Sequence, residues 1–319
     1  MTHELESGFF VKTPAWHRLG TIVQDAPTVE DAIRLAGLDW TVIERPLVVA
    51  DDNGSFIPAS DHKALLRQTD RALLGVVGKD YRVFQNPEAF RFFDPFLSSG
   101  ACQLDAAGSL RNGKRIWVLA KIRGGTAEVV KGDAVESFIL LSNAHDGTQS
   151  IRVQFTTIRV VCMNTLTWAE SRGDSQLDAC LRVRHTATAP AALNAVQKAM
   201  DVANRTFSIT VEAFERLAAK QVSVEGLREY VREVFEVPAD SEKMPKAWAY
   251  IEESFETGPG AELPGVRGTL WGGYNAVTHW IDHAQGVGRG DAARLHSTWF
   301  GHGARLRNRA MNVAMQLLN

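Results

Sequence analysis

One stretch of the chain, residues 137–161 with the sequence SFILLSNAHDGTQSIRVQFTTIRVV, predicts a central β-hairpin. Two segments rich in β-forming residues, Ser137 to Ala144 and Gln149 to Val161, flank the dipeptide Asp146-Gly147. Asp and Gly favour tight hairpin turns because they accept a positive φ at little cost. The stretch therefore predicts two antiparallel strands joined by a short turn.

Two more hairpin turns are predicted upstream, at Asn53-Gly54 and Asn112-Gly113. Three hairpins in one chain favour an antiparallel meander over a parallel sheet. Beyond Pro190 the apolar residues recur every three or four positions, which is typical of amphipathic helices. We therefore expect an α+β fold, with an antiparallel hairpin sheet packed with helices and a helical C-terminal part. The expected domains are a mixed α+β domain at 1–187 and a helical region at 188–319, unless the two form one continuous domain.

Local sequence also predicts where individual helices lie. Thr28 precedes an apolar periodic run that ends at Gly37, and Asn86 precedes Pro87, so both positions predict helix N-termini. One long helix is expected over 193–217. Shorter helices are expected near 224–235, 247–255, 269–284 and 303–318.

The composition is that of an ordinary globular protein, with 45% hydrophobic and 23% charged residues among 319. The formal net charge of -2 provides no whole-chain attraction to nucleic acid or membrane. No run approaches the roughly 20 apolar residues of a membrane span, and the first residues lack the apolar core of a signal peptide. The three cysteines form no C-x-x-C pair. We therefore expect a cytoplasmic protein without membrane contact.

A set of polar residues on and around the third hairpin is a candidate nucleic-acid-binding face. Lys and Arg side chains on a twisted sheet bind phosphates and release counterions, and an aromatic side chain such as Phe155 or Trp117 can stack on a base. The alternative is the solvated outer face of a sheet, where such residues are normal. The candidate residues are Lys114, Arg115, Lys121, Arg152, Gln154, Arg159, Arg182 and Arg184.

Two weaker constellations suggest chemistry. His145 and Cys162, with Asn143 or Asn164, have the residue types of a thiol nucleophile with its base, although an apolar run around Cys162 favours a buried core cysteine. His279 and His283 lie four apart on a predicted helix, as metal ligands often do. They lack the H-E-x-x-H pattern, which favours a packing role. We therefore assign no catalytic residue, metal or cofactor from sequence.

Several motifs resemble those of the phage/plasmid-like protein family, whose defining domain is of the unknown-function 932 type. They include 77–81 (VGKDY), 140–147 (LLSNAHDG), 158–166 (IRVVCMNTL) and 268–278 (GTLWGGYNAVT), with further matches at 16–20 and 299–301. The resemblance covers nearly the whole chain and implies an origin in mobile elements, with a role in DNA metabolism or host takeover. The family-motif positions are Asn143, His145, Asp146, Gly147, Cys162, Asn164, Trp271, Tyr274 and Asn275.

Three functional hypotheses remain open. The first is a non-enzymatic protein that binds or anneals single-stranded DNA as a homo-oligomer in recombination or replication, because a basic meander followed by helices resembles single-strand annealing proteins in layout. The second is a protein–protein interaction module that acts in host takeover or against host defence. The third is an enzyme that uses His145, Asp146 and Cys162.

Overall fold

The computed structural model describes residues 5–12, 20–161, 164–166, 180–197, 200–288 and 291–318. These residues form eleven strands and ten α-helices, and the α+β class predicted from sequence is confirmed. None of the helices among them has the length and apolar character needed to cross a membrane. The chain forms two compact units. Unit 1 comprises Met1–Lys121, Ile139–Gln154 and Cys180–Met200, and unit 2 comprises Ile122–Phe138, Phe155–Ala179 and Asp201–Asn319.

The strands make two sheets. The larger sheet has eight strands in the order β10-β9-β8-β7-β6-β1-β2, with β11 also paired to β9. The smaller sheet is a meander in the order β3-β4-β5. The strands are β1 (Leu5–Val11), β2 (Thr21–Val23), β3 (Val42–Ala50), β4 (Phe56–Arg67), β5 (Leu73–Gly78), β6 (Cys102–Leu110), β7 (Arg115–Val130), β8 (Asp133–Ala144), β9 (Ile151–Arg159), β10 (Asn164–Leu166) and β11 (Cys180–Val183).

Three helices of unit 1, α1 to α3, come between strands, and α4 follows the last strand. The helices after α4 belong to unit 2, apart from the first residue of α5. A π-helical turn, Trp280–Ala284, continues directly from α8. The helices are α1 (Val29–Leu35), α2 (Asn86–Arg91), α3 (Asp94–Ser98), α4 (Ala189–Gln197), α5 (Met200–Ala219), α6 (Val224–Val234), α7 (Trp248–Thr257), α8 (Leu270–His279), α9 (Asp291–Phe300) and α10 (His302–Gln316).

All three predicted hairpins form, with longer turns than the dipeptides alone imply. Each predicted turn joins neighbouring strands: β3 to β4, β6 to β7, and β8 to β9. The connections cover 51–55, 111–114 and 145–150. The glycines Gly54, Gly113 and Gly147 each adopt a positive φ, of 80°, 78° and 75°. Positive φ explains why glycine is required at these points.

The predicted helices need two corrections. Gln85, and not Asn86, is the N-cap of α2, and the carboxylate of Glu88 accepts a hydrogen bond from the Gln85 N–H at 2.7 Å. The long helix expected over 193–217 corresponds to α4 and α5, and residues 198 and 199 between them lie outside the described residues. A helix not predicted, α9, precedes the last one. Thr28 does cap α1, since its hydroxyl accepts from the Asp31 N–H at 3.2 Å. The domain boundary at residues 187 and 188 stays a prediction.

Unit 2 has a helical core around α8. Every residue of α8 from Leu270 to Thr278 is buried, including Trp271 and Tyr274. Gly272 allows this burial, because a Cβ at that position would lie 2.5 Å from the carbonyl oxygen of Val266. The helix is thus enclosed on all sides, and its buried polar residues Asn275 and Thr278 bond to backbone carbonyls of the same helix.

Candidate functional site

The turn after β8 holds a buried histidine in unit 1. His145 is fully buried, and its Nε2 lies 3.0 Å from Oδ1 of Asn86. The Asn86 Nδ2 donates to the carbonyl oxygens of Leu38 (3.2 Å) and Trp40 (3.1 Å), so Oδ1 must accept from His145. Nε2 therefore carries the proton, and Nδ1 accepts from Nδ2 of Asn143 at 3.4 Å.

Burial, with a smaller contribution from the nearby His185, lowers the pKa of His145 to about 3. The imidazole is therefore neutral at physiological pH. Both ring nitrogens already have partners, and the edge of the ring packs on Trp40 with centroids 5.7 Å apart. A neutral, enclosed histidine in this position joins the turn to the segment around Asn86, and it has no open path to a substrate.

Two of the family-like motifs contact each other at this turn. The Tyr81 hydroxyl donates to the carbonyl oxygen of Ala144 at 3.0 Å. A Cβ at Gly75 would lie 2.5 Å from Cα of Asp146, so β5 approaches the turn closely. The stretches 77–81 and 143–147, which are distant in sequence, are thus in contact at a turn where Ala144 and His145 are buried and Tyr81 is partly exposed. Sequence resemblance marked both stretches but not their contact.

A second cluster lies in unit 2, where a buried ion pair replaces an expected surface contact. Arg159 makes a bidentate pair with Asp133, with Nε–Oδ1 at 2.7 Å and Nη2–Oδ2 at 2.8 Å. The Trp271 Nε1 donates to the same Oδ2 at 2.7 Å. The Arg159 and Asp133 side chains are 2% and 0% exposed. Arg159, a candidate for phosphate binding from sequence, is therefore buried in an ion pair and not exposed on a basic face.

A shallow cleft adjoins this ion pair. Its lining includes Arg159, Ser254, Pro259, Asn275 and His279. The Nδ1 atom of His279 lies 3.2 Å from the Tyr250 hydroxyl and 3.4 Å from the Ser254 hydroxyl. Burial lowers the pKa of His279 to about 4, with smaller contributions from His283 and Arg159. The histidine is thus a neutral hydrogen-bonding group within the wall of the cleft.

The pair suggested as metal ligands does come together, since the rings of His279 and His283 have centroids 4.3 Å apart. Among the described residues, however, no group of three or more His, Cys, Asp or Glu side chains is placed to hold a metal ion. The other family-motif positions of α8 are core residues: Tyr274 is fully buried, and Asn275 Nδ2 donates to the Trp271 carbonyl at 2.8 Å.

The predicted basic residues separate into buried and accessible groups. Arg115 is buried, whereas Lys114 and Lys121 are half-buried. Both proposed stacking residues are enclosed, with Phe155 at 7% exposure and Trp117 at 0%. Neither can stack on a base in this conformation.

The accessible arginines meet where β11 pairs with β9. Arg182 lies directly opposite Arg152, and Gln154 lies opposite Cys180. Arg152 is half-buried, while Arg182 and Arg184 are exposed. Sequence analysis named these residues without predicting that β11 brings them together, because nothing local specifies such a pairing.

Arg82, which sequence analysis did not name, is a fourth member of this region. It is exposed, and its N–H donates to the carbonyl oxygen of His185 at 3.1 Å. We call Arg82, Arg152, Arg182 and Arg184 the arginine cluster. Other predicted positions, Trp16–Leu19, Cys162 and the side chain of Asn164, lie outside the described residues.

Comparison with known proteins identifies a family and nothing finer. A family model described as a domain of unknown function, DUF932, matches residues 73–310. No match was found among curated proteins or among solved structures. The matched region contains both buried clusters and the whole arginine cluster.

Proposed function

We propose that the protein binds single-stranded DNA without catalysing a reaction. The chain belongs to the DUF932 family, and the description of that family names no activity. The arginine cluster is the proposed phosphate-binding site. We further propose that the protein acts as a homo-oligomer in annealing or recombination.

The observation that carries the proposal is the pairing of two like charges. Arg152 and Arg182 are directly opposite on neighbouring antiparallel strands. Directly opposed residues project from the same face, and like charges at such positions destabilise the sheet. A bound anion between the two guanidinium groups would remove this repulsion. A nucleic-acid phosphate is an anion that arginine binds well, through two parallel N–H donors.

The surroundings of the pair support an anionic ligand. In the part of the chain that the structure describes, no carboxylate forms an ion pair with Arg152, Arg182 or Arg184. The Nε of Arg152 is shielded from solvent and has no hydrogen-bond partner there. A buried donor without a partner costs free energy that a phosphate oxygen would recover. Arg184 and Arg82 add charge beside the pair.

The test is binding of a fluorescent oligo-dT strand, measured by anisotropy at about 50 mM salt. We expect the wild type to bind and the double variant Arg152→Gln, Arg182→Gln to bind about tenfold more weakly, because two phosphate contacts are lost. The matched control is Arg216→Gln, since Arg216 is exposed on α5 of unit 2. This control should bind like the wild type.

Absence of binding by the wild type at this salt would contradict the proposal. Equal binding by the double variant and the wild type would instead show that DNA binds elsewhere.

The runner-up function, a protein-interaction module, is favoured by one observation: Val48, Val49, Phe56 and Ile57 of the β3–β4 hairpin are 47%, 57%, 72% and 56% exposed. Apolar groups exposed together often mark protein interfaces.

A further inference from the structure

An aromatic pair lies next to the arginine cluster. The rings of Tyr81 and His185 stack with centroids 4.3 Å apart and an angle of 17° between their planes. Tyr81 directly precedes Arg82, and His185 directly follows Arg184. The stacked rings are therefore flanked by two exposed arginines, one from each chain segment.

Hydrogen bonds hold the pair in place. The Arg82 N–H donates to the His185 carbonyl oxygen, and the His185 Nδ1–H donates back to the Arg82 carbonyl oxygen, both at 3.1 Å. The Tyr81 hydroxyl donates to the Ala144 carbonyl oxygen at 3.0 Å. A ring fixed in this way loses little conformational entropy when a ligand packs on it. Tyr81 remains partly exposed, whereas His185 beneath it is buried.

This arrangement combines the two elements of single-strand recognition, cationic side chains for the backbone and an aromatic surface for bases. The bases of a duplex already stack on each other, so only an unpaired base is free to stack on a side chain. Phe155 and Trp117 are buried, which leaves Tyr81 as an accessible aromatic residue beside the arginines.

We infer that the Tyr81–His185 pair is a stacking platform for an unpaired base, and that it makes the arginine cluster select single strands over duplex. This inference rests on the proposed function and specifies its ligand. Stacking is tolerant of sequence because every base has a π-face. The platform therefore confers preference for single-stranded nucleic acid without preference for one base.

The experiment compares an oligo-dT strand with a fully abasic strand of the same length and labelling. Both have the same phosphates, and only the first has bases. We expect the wild type to bind oligo-dT about tenfold more tightly than the abasic strand. Tyr81→Leu should bind the two strands equally, and Tyr81→Phe should keep the preference because the ring remains.

The outcomes separate this inference from the proposed function. If the wild type binds both strands with equal affinity, the platform is refuted while phosphate binding stands, and this result requires no variant to fold. An undiminished preference in Tyr81→Leu refutes it as well. If the wild type binds neither strand, the proposed function fails and the platform fails with it. Loss of the preference in Tyr81→Leu, with abasic affinity retained, supports it.

Discussion

At the scale of single residues, His145 shows how burial decides the role of a side chain that sequence marks as reactive. Its Nε2 donates to Asn86 and its Nδ1 accepts from Asn143, so both nitrogens are used within the fold. Histidine is often a catalytic base because it titrates near neutrality. Here burial moves the pKa to about 3, and the side chain acts as a neutral connector.

This depressed pKa has a consequence for stability against pH. The unfolded chain binds a proton at His145 near pH 6.5, whereas the folded chain does so only near pH 3. The stabilisation is therefore complete above about pH 6.5 and is lost as the pH falls, by up to about 1.4 kcal/mol per pH unit. We expect His145→Gln to be less stable than the wild type at pH 7. Between pH 6.5 and 4, its free energy of unfolding should fall less than that of the wild type. Urea denaturation at several pH values measures the stability at pH 7 and its change with pH.

Other histidines titrate in the same interval, so the comparison needs a control. His62 is exposed on β4, and His62→Gln should reproduce the pH dependence of the wild type. If the unfolding free energies of His145→Gln and the wild type changed equally with pH, folding would not hinder protonation of His145, and the prediction would be wrong.

At the scale of elements, sequence predicted what local chemistry specifies. Asn53-Gly54, Asn112-Gly113 and Asp146-Gly147 mark hairpins because the turn conformation depends on those residues themselves. The Gln85 cap was missed because tertiary contacts select it: the Gln85 side chain also bonds both the N–H and the carbonyl of Val42, each at 2.9 Å.

The sequence pattern also did not predict which strands from distant parts of the chain pair with each other. β1 pairs with β2 in parallel and with β6 antiparallel, and β11 pairs with β9. No local pattern encodes the partner of a short strand. The same limit applies to the candidate site. The sequence suggested both Arg152 and Arg182, but only the pairing of β11 with β9 shows that they lie opposite each other, and Arg159 is buried.

The buried pair Arg159–Asp133 connects three elements, β9, β8 and, through Trp271, α8. Removing one partner leaves the other charge buried and uncompensated, which costs about 3–5 kcal/mol. We therefore expect Arg159→Met to lower the free energy of urea unfolding by about that amount, even though the replacement is apolar and of similar length.

The matched control is Arg34→Met, which breaks the Arg34–Asp31 pair on the surface of α1. Its side chains are 68% and 49% exposed, so water screens the interaction. We expect a much smaller change than in Arg159→Met. A loss of similar size in both variants would mean that the Arg159 pair contributes no more than a surface ion pair.

At the scale of the whole molecule, charge is distributed and nearly balanced. Thirty-five Lys and Arg residues are offset by 37 Asp and Glu residues, which leaves the formal net charge of -2. A protein with this balance has no general attraction for DNA. The proposed DNA binding must therefore depend on a local group of cations, such as the arginine cluster.

The small number of arginines in the cluster limits the salt dependence of the proposed DNA binding. Each phosphate neutralised on a single strand contributes about -0.7 to the slope of log affinity against log salt. Three or four contacts, the number available in the arginine cluster, give a slope of about -2 to -3. Anisotropy titrations of oligo-dT between about 50 and 200 mM salt measure it. A slope of about -5 or steeper would contradict a site confined to one cluster, and would require cations from several copies of the chain or from other surfaces.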